Sequence, residues 1–123
     1  MRKLCMLVLA LGLAACASDS TAPSTSVEGT YTLKTVNGTT LPYTFSTGLQ
    51  LVSDQLVLNT DGSFTERSQY NNGQTSVDSG YWTNLNGAIT FQDITAGITY
   101  QGSLSGTVLT ALPSGFTETF QKN

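Results

Sequence analysis

Two hydrophobic rhythms divide this chain of 123 residues. Leu4 to Leu13 is almost continuously apolar, whereas from Val27 onward apolar residues alternate with threonine, serine, asparagine and glutamine. Period-two alternation marks strands with one buried face, because successive side chains point to opposite sides of a pleated backbone. Tyr31 and Leu33 share a face, with Lys34 pointing away. Leu56 pairs in this sense with Leu58, Phe64 with Tyr70, Ile89 with Phe91, Ile98 with Tyr100 and Leu104, and Phe116 with Phe120.

Glycine punctuates the alternation at Asn37-Gly38, Asp61-Gly62, Asn72-Gly73, Asn86-Gly87, Ala96-Gly97, Ser105-Gly106 and Ser114-Gly115. Asn-Gly and Asp-Gly enter the positive-φ conformations of tight hairpins, so each is a turn with a mechanism. They delimit eight segments, at 28–36, 49–60, 63–71, 75–85, 88–95, 98–104, 107–112 and 116–122. Short connections make sequential strands antiparallel neighbours. The interval "TTLPYTFSTG" (39–48) is too rich in Thr, Pro and Gly for a helix and reads as a loop with a short strand in it. The expected fold is all-β: an eight-stranded antiparallel up-and-down barrel, which leaves no exposed edge. A two-sheet β-sandwich is the alternative.

The apolar run near the start has a different meaning. Arg2 and Lys3 precede it, and Ala14 and Ala15 follow it. A charged start, a short apolar stretch and small residues form an export signal, and the stretch is too short to span a bilayer permanently. Leu13-Ala14-Ala15-Cys16 resembles the lipobox of bacterial lipoproteins. That resemblance implies cleavage before Cys16 and lipidation of its sulfur. Each buried methylene adds about 0.8 kcal/mol of anchoring. Residues 1–15 are then a signal peptide, 16–27 a lipidated cysteine with a small polar tether, and 28–123 the folded domain. Ala17 stands where enterobacterial lipoproteins carry an inner-membrane retention aspartate, which favours the outer membrane, on its periplasmic or surface face. Cys5 leaves with the signal, so no internal disulfide is expected.

Charge narrows the function. Without Arg2 and Lys3, Lys34, Arg67 and Lys122 face eight carboxylates, a net charge of −5. Such a chain cannot neutralise nucleic-acid phosphates, and its membrane attachment must come from lipid. There is no histidine, which excludes the usual Ser-His and Cys-His nucleophiles and the commonest transition-metal ligand. "VLNTDGSF" (57–64) is superficially like a calcium loop, but Val57 and Ser68 stand where acidic ligands are needed, so it reads as a hairpin turn. No metal and no cofactor are expected.

"GTYTLKTVNGTTLP" (29–42), "LVLNTDGSFT" (56–65), "SGYW" (79–82) and "FTETF" (116–120) resemble bacterial lipoproteins with small lipocalin-like domains. The resemblance implies an eight-stranded barrel with an internal cavity for an apolar small molecule. Lipocalins open their first strand with Gly-x-Trp and pack an arginine of the last strand over that ring. Here Tyr31 takes the aromatic place, and Lys122 is the one cation near the last strand.

The residues expected to line a ligand site are Tyr31, Trp82, Phe91 and Tyr100, with Glu66 on the Phe64/Tyr70 face and Glu118 on the Phe116/Phe120 face. Inward-pointing glutamates have raised pKa values unless paired, and suit a ligand's polar head. Tyr43 and Phe45 are apolar aromatics in a Thr/Gly-rich loop, placed to cap a barrel mouth or meet a partner. The leading expectation is a lipid-anchored, non-enzymatic binding module with an apolar pocket. The alternative is a structural or protein-interaction lipoprotein with a filled barrel, such as an envelope component or protease inhibitor. A third reading, an enzyme using Glu66 and Glu118, has no motif behind it.

Overall fold

The structure is a computed structural model and describes residues 26–123. The signal peptide, Cys16 and most of the tether lie outside these residues. Ten strands follow in order: β1 (Gly29–Val36), β2 (Thr39–Thr40), β3 (Tyr43–Thr44), β4 (Gln50–Leu58), β5 (Ser63–Tyr70), β6 (Thr75–Leu85), β7 (Ala88–Asp93), β8 (Ile98–Ser105), β9 (Val108–Ala111) and β10 (Glu118–Lys122). From β4 to β10 each strand pairs antiparallel with the next, β10 pairs with β1, and β1 pairs back onto β4. The sheet is therefore a closed eight-stranded up-and-down barrel, and the two-sheet sandwich is set aside. Each expected segment holds one long strand, and the 39–48 loop carries β2 and β3.

Turn chemistry follows the asparagine–glycine pairs. Asn37 and Gly38 take φ of 50° and 81°, and Asn86 and Gly87 take 53° and 88°, the left-handed values a two-residue hairpin demands. At the β4–β5 turn the Asp61 carboxylate accepts from Ser63 N (2.9 Å) and Ser63 Oγ (2.6 Å), so its oxygens serve the hairpin.

The seam between β1 and β4 closes over four residue pairs only, Gly29↔Leu58 to Thr32↔Gln55. Beyond it the strands diverge, and each takes a short partner: β2 on β1, and β3 on β4. Register shifts at Leu33/Thr35 and at Leu51/Ser53 bring Val36 and Leu51 back to the interior after the divergence.

The barrel has two unlike ends. One carries the 59–62, 86–87 and 106–107 turns and the point where the chain enters at Val27. Tyr31, Leu56, Leu58, Phe64, Ile89, Phe91, Leu109 and Phe120 fill that half, all buried. Phe64 meets Phe91 edge-on at 5.6 Å, and Tyr100 stacks on the other side of Phe91 at 5.0 Å. Gly80 makes room for this packing: a Cβ there would lie 1.9 Å from Gln92 O and 3.0 Å from the Phe64 ring. Val27 is buried and accepts a 2.5 Å hydrogen bond from Tyr31 Oη, so packing begins one residue inside the expected tether. Lys122 Nζ lies 5.8 Å from the Tyr31 ring centroid and donates to Ser26 O (2.5 Å), sealing this end. Pairing closes the sheet on itself, and among the described residues the core runs from Val27 to Phe120, so residues 26–123 carry their own closed sheet and their own core.

Candidate functional site

The other end is surrounded by the 37–49 loop, the 71–74 and 94–97 turns and the 112–117 loop, and it is not filled. A cavity of about 200 Å³ opens there. Alternation that places apolar side chains inside the closed half continues along the same strands, but the residues change. β4 contributes Asp54, β5 Glu66 and Ser68, β6 Asp78, β7 Asp93, β8 Tyr100 and β10 Glu118. Half-buried Phe45, Tyr70 and Phe116 form the rim. Phe45 packs edge-on against Phe116 at 6.1 Å and lies 6.4 Å from Tyr70, with Tyr43 joining from outside at 5.2 Å from Phe45. The loop aromatics are thus part of the barrel mouth. Asn37 ties the two large loops together: its N–H donates to Thr117 O (2.7 Å) and its Oδ1 accepts from Thr117 N (2.8 Å).

Five carboxyl groups share the interior, and no lysine or arginine lies among the described residues lining the cavity. Asp54 and Asp93 are buried; Glu66, Asp78 and Glu118 are half-buried and open on the cavity side. Asp54 is 4% exposed and sits one residue past the last β1–β4 pair. Its Oδ2 accepts from Ser68 Oγ (2.7 Å), but its Oδ1 has no donor partner. The neighbouring Glu66 carboxyl can supply a donor only while it holds its proton. Asp93 Oδ1 accepts from Ala96 N (2.9 Å), which caps the β7–β8 turn, and Asp78 adds a second carboxyl beside it.

Burial is the main force on these groups. It lifts Glu66 well above the carboxylate range, with the Asp54 charge adding to it. Asp54 is raised by burial, although hydrogen bonds from Glu66 and Ser68 pull the other way. Asp78 is pushed up to about 6 by burial and then by its hydrogen bond to Asp93. Glu118 is pushed up to about 8 by burial and then by the Asp54 charge. The Tyr100 phenol is raised by burial first and by Glu66 and Glu118 after it. Every carboxyl that moves in this cavity moves upward, so burial there favours the protonated form over the ionised one.

Of the six residues expected to line a ligand site, Glu66, Tyr100 and Glu118 meet around this cavity. Tyr31 and Phe91 are fully buried in the closed half. Trp82 lies at the far end, its Nε1 donating to Asn59 O (3.1 Å) and Ser63 O (3.0 Å). It borders a wide surface hollow of about 830 Å³. That hollow adjoins Ser26, where the described chain begins, and the only carboxyl among its lining residues is Glu28. Asp54, Asp78 and Asp93 were not anticipated. Their parity with Leu56, Gly80 and Phe91 was the available signal. Among the described residues, no group of three or more carboxyls is placed to hold a metal ion. Comparison of this chain with protein-family models, curated proteins and solved structures finds no match.

Proposed function

We propose that this protein is a lipid-anchored envelope lipoprotein whose lipocalin-like barrel binds a small molecule at the unfilled end. The observation that carries this reading is the cavity: a closed barrel packed solid in one half and left open in the other. Ligand sites combine an apolar wall with a few convergent polar groups, and Phe45, Tyr70, Tyr100 and Phe116 beside the carboxyls supply both. The volume of about 200 Å³ lies below the roughly 300–1,000 Å³ of drug-sized pockets, which favours a compact ligand over a long acyl chain. Tyr31 under Lys122 takes the place of the lipocalin tryptophan under its arginine, which supports the family resemblance. Cys16 carries the lipid, and the described chain begins at the closed end of the barrel, the end away from the cavity. Outer-membrane placement rests on Ala17.

A protein-interaction role is the second reading, favoured by Val77, Tyr81 and Leu85, which are 46%, 58% and 75% exposed on the outer face of β6. Native mass spectrometry of residues 26–123, purified without detergent and mixed with envelope extract, separates the two. The binding reading expects a discrete added mass that is lost in Phe116→Ala, where a wall of the cavity is removed. A bare protein mass at every extract concentration would sink it and move the search to the β6 face. Intact mass of the membrane-extracted protein tests the anchor: acyl mass on the wild-type chain, none on Cys16→Ser.

A further inference from the structure

The cavity gathers five carboxyl groups, and among the described residues no lysine or arginine lines it to pair with them. Lys34 and Arg67 are exposed at outward positions of β1 and β5, and Lys122 is committed to Tyr31 and Ser26 at the opposite end. A barrel that only had to fold gains nothing from acids here, because burying a carboxyl without a partner opposes folding, whereas leucine or phenylalanine at the same positions would extend the core. The acids are also not fully satisfied by one another. Asp54 Oδ1 is buried, in a residue only 4% exposed that lines the cavity, and has no donor unless the Glu66 carboxyl supplies its own proton. A buried acceptor without a donor is the kind of defect a bound group repairs.

The lining narrows the chemistry of a group that would fit there. Such a group must donate hydrogen bonds and carry positive charge. A bare metal ion is a poor fit, since it needs several oxygens drawn to one point at about 2.0–2.6 Å, and no such group of carboxyls exists among the described residues. An ammonium head presents three N–H donors on a small tetrahedral centre and tolerates acceptors spread around it. Aromatic rings suit the same ligand twice, as an apolar wall for its carbon body and through the negative faces of their π systems. Phe45, Tyr70 and Phe116 provide that wall at the mouth.

We propose that the cavity binds a small organic amine in its protonated form, with the ammonium group among Asp54, Glu66 and Glu118 and the carbon body against Phe45, Tyr70 and Phe116. This deepens the binding reading above and rests on it. Raised carboxyls offset part of their mutual charge by keeping protons, and the ligand replaces them. The groups that face the ammonium position are Asp54 from β4, Glu66 from β5, Asp78 from β6, Asp93 from β7, Tyr100 from β8 and Glu118 from β10. An incoming cation favours their ionised forms, so binding expels protons and tightens as pH rises through the range in which Asp78 and Glu118 titrate, about 6 to about 8.

Isothermal titration of residues 26–123 with phenethylamine and hexylamine, each against its alcohol counterpart, 2-phenylethanol and hexanol, tests the proposal. The amines should bind at least about tenfold more tightly than the alcohols at pH 8, with the margin shrinking toward pH 5.5 and with proton release seen as buffer-dependent heat. Glu118→Gln and Asp54→Asn should each weaken amine binding by about tenfold and leave alcohol binding unchanged. Glu118 is half-buried at the mouth, so Glu118→Gln carries the test if Asp54→Asn fails to fold. Equal affinity for amine and alcohol would overturn the cation assignment while the binding reading stands. Tight calcium binding without amine binding would overturn it in favour of a metal. Silence from all four compounds, in a chain that binds nothing from envelope extract either, would overturn both readings.

Discussion

Phe91 and Glu118 both project into the same barrel, within one sheet, yet their surroundings have little in common. Phe91 lies between Phe64 and Tyr100 in an interior filled by Leu56, Leu58, Ile89, Leu109 and Phe120. Glu118 faces an open space shared with Asp54, Glu66, Asp78 and Asp93. Apart from the β1–β4 seam, which pairs only in the packed half, the same strands and the same inward alternation run through both halves. The residue types differ. One half supplies the apolar burial that holds the chain folded, and the other gives up part of that burial to keep a polar volume open. A barrel tolerates this division because each interior layer packs mainly with its own level, while the hydrogen-bonded wall is shared by both.

The sharpest test of the division is the same substitution at both ends. Phe91→Ala removes a fully buried ring from the packed half and should lower stability by about 3–5 kcal/mol. Phe45→Ala takes a half-buried ring from the rim, where its main losses are edge contacts with Phe116 and Tyr43, and should cost only about 1 kcal/mol. Urea denaturation of both variants gives the comparison directly. Equal losses would mean that the rim is part of the core and that the two halves are one.

Gly80 sits at the boundary, paired with Phe64 on one side and Asp93 on the other. Gly80→Ala drives a methyl against the Gln92 carbonyl and the Phe64 ring, and should cost about 1–3 kcal/mol by urea denaturation. Because Gln92 O belongs to the wall and Phe64 to the packed half, the damage should leave cavity binding in place wherever the protein remains folded. Loss of binding in a folded Gly80→Ala protein would show that the two halves are mechanically coupled.

Much of this layout is legible in the chain. Threonine-rich alternation between glycine turns places all eight long strands, since strand period and turn chemistry are local properties. Closure is not local: a barrel and a sandwich use the same alternation, and only the β1–β4 pairing decides between them. The axial level of each inward residue is also hidden, because it depends on how strands far apart in sequence are staggered. That is why Tyr31, Trp82 and Phe91 lie away from the cavity while Glu66, Tyr100 and Glu118 meet there. Asp54, Asp78 and Asp93 share parity with apolar neighbours, so inward direction was readable for them. Their convergence was not, because it needs five strands brought to one height.

The smallest expected effect has the opposite sign and bears most directly on the polar half. Glu118 has its pKa raised to about 8 by burial and then by the Asp54 charge, from an ordinary value near 4.5. A carboxyl whose folded pKa lies above its unfolded one binds more protons in the native state. Its favourable contribution is complete below the unfolded value and is lost as pH rises through the folded one. Asp78, raised to about 6, acts in the same sense over a lower interval. Thermal stability should therefore fall as pH rises from about 4.5 to about 8, with no opposing contribution from the apolar half, which has no carboxyl in its interior. Glu118→Gln removes one charge without changing shape, so it should raise stability at pH 8 by up to about 1 kcal/mol and flatten the upper part of the decline. At pH 4.5, where the native glutamate already holds its proton, the substitution should be nearly neutral. Melting curves of both proteins across this range check the sign. A decline of the same depth in the variant would place the titration elsewhere, and with it the claim that the open half is held open against its own charge.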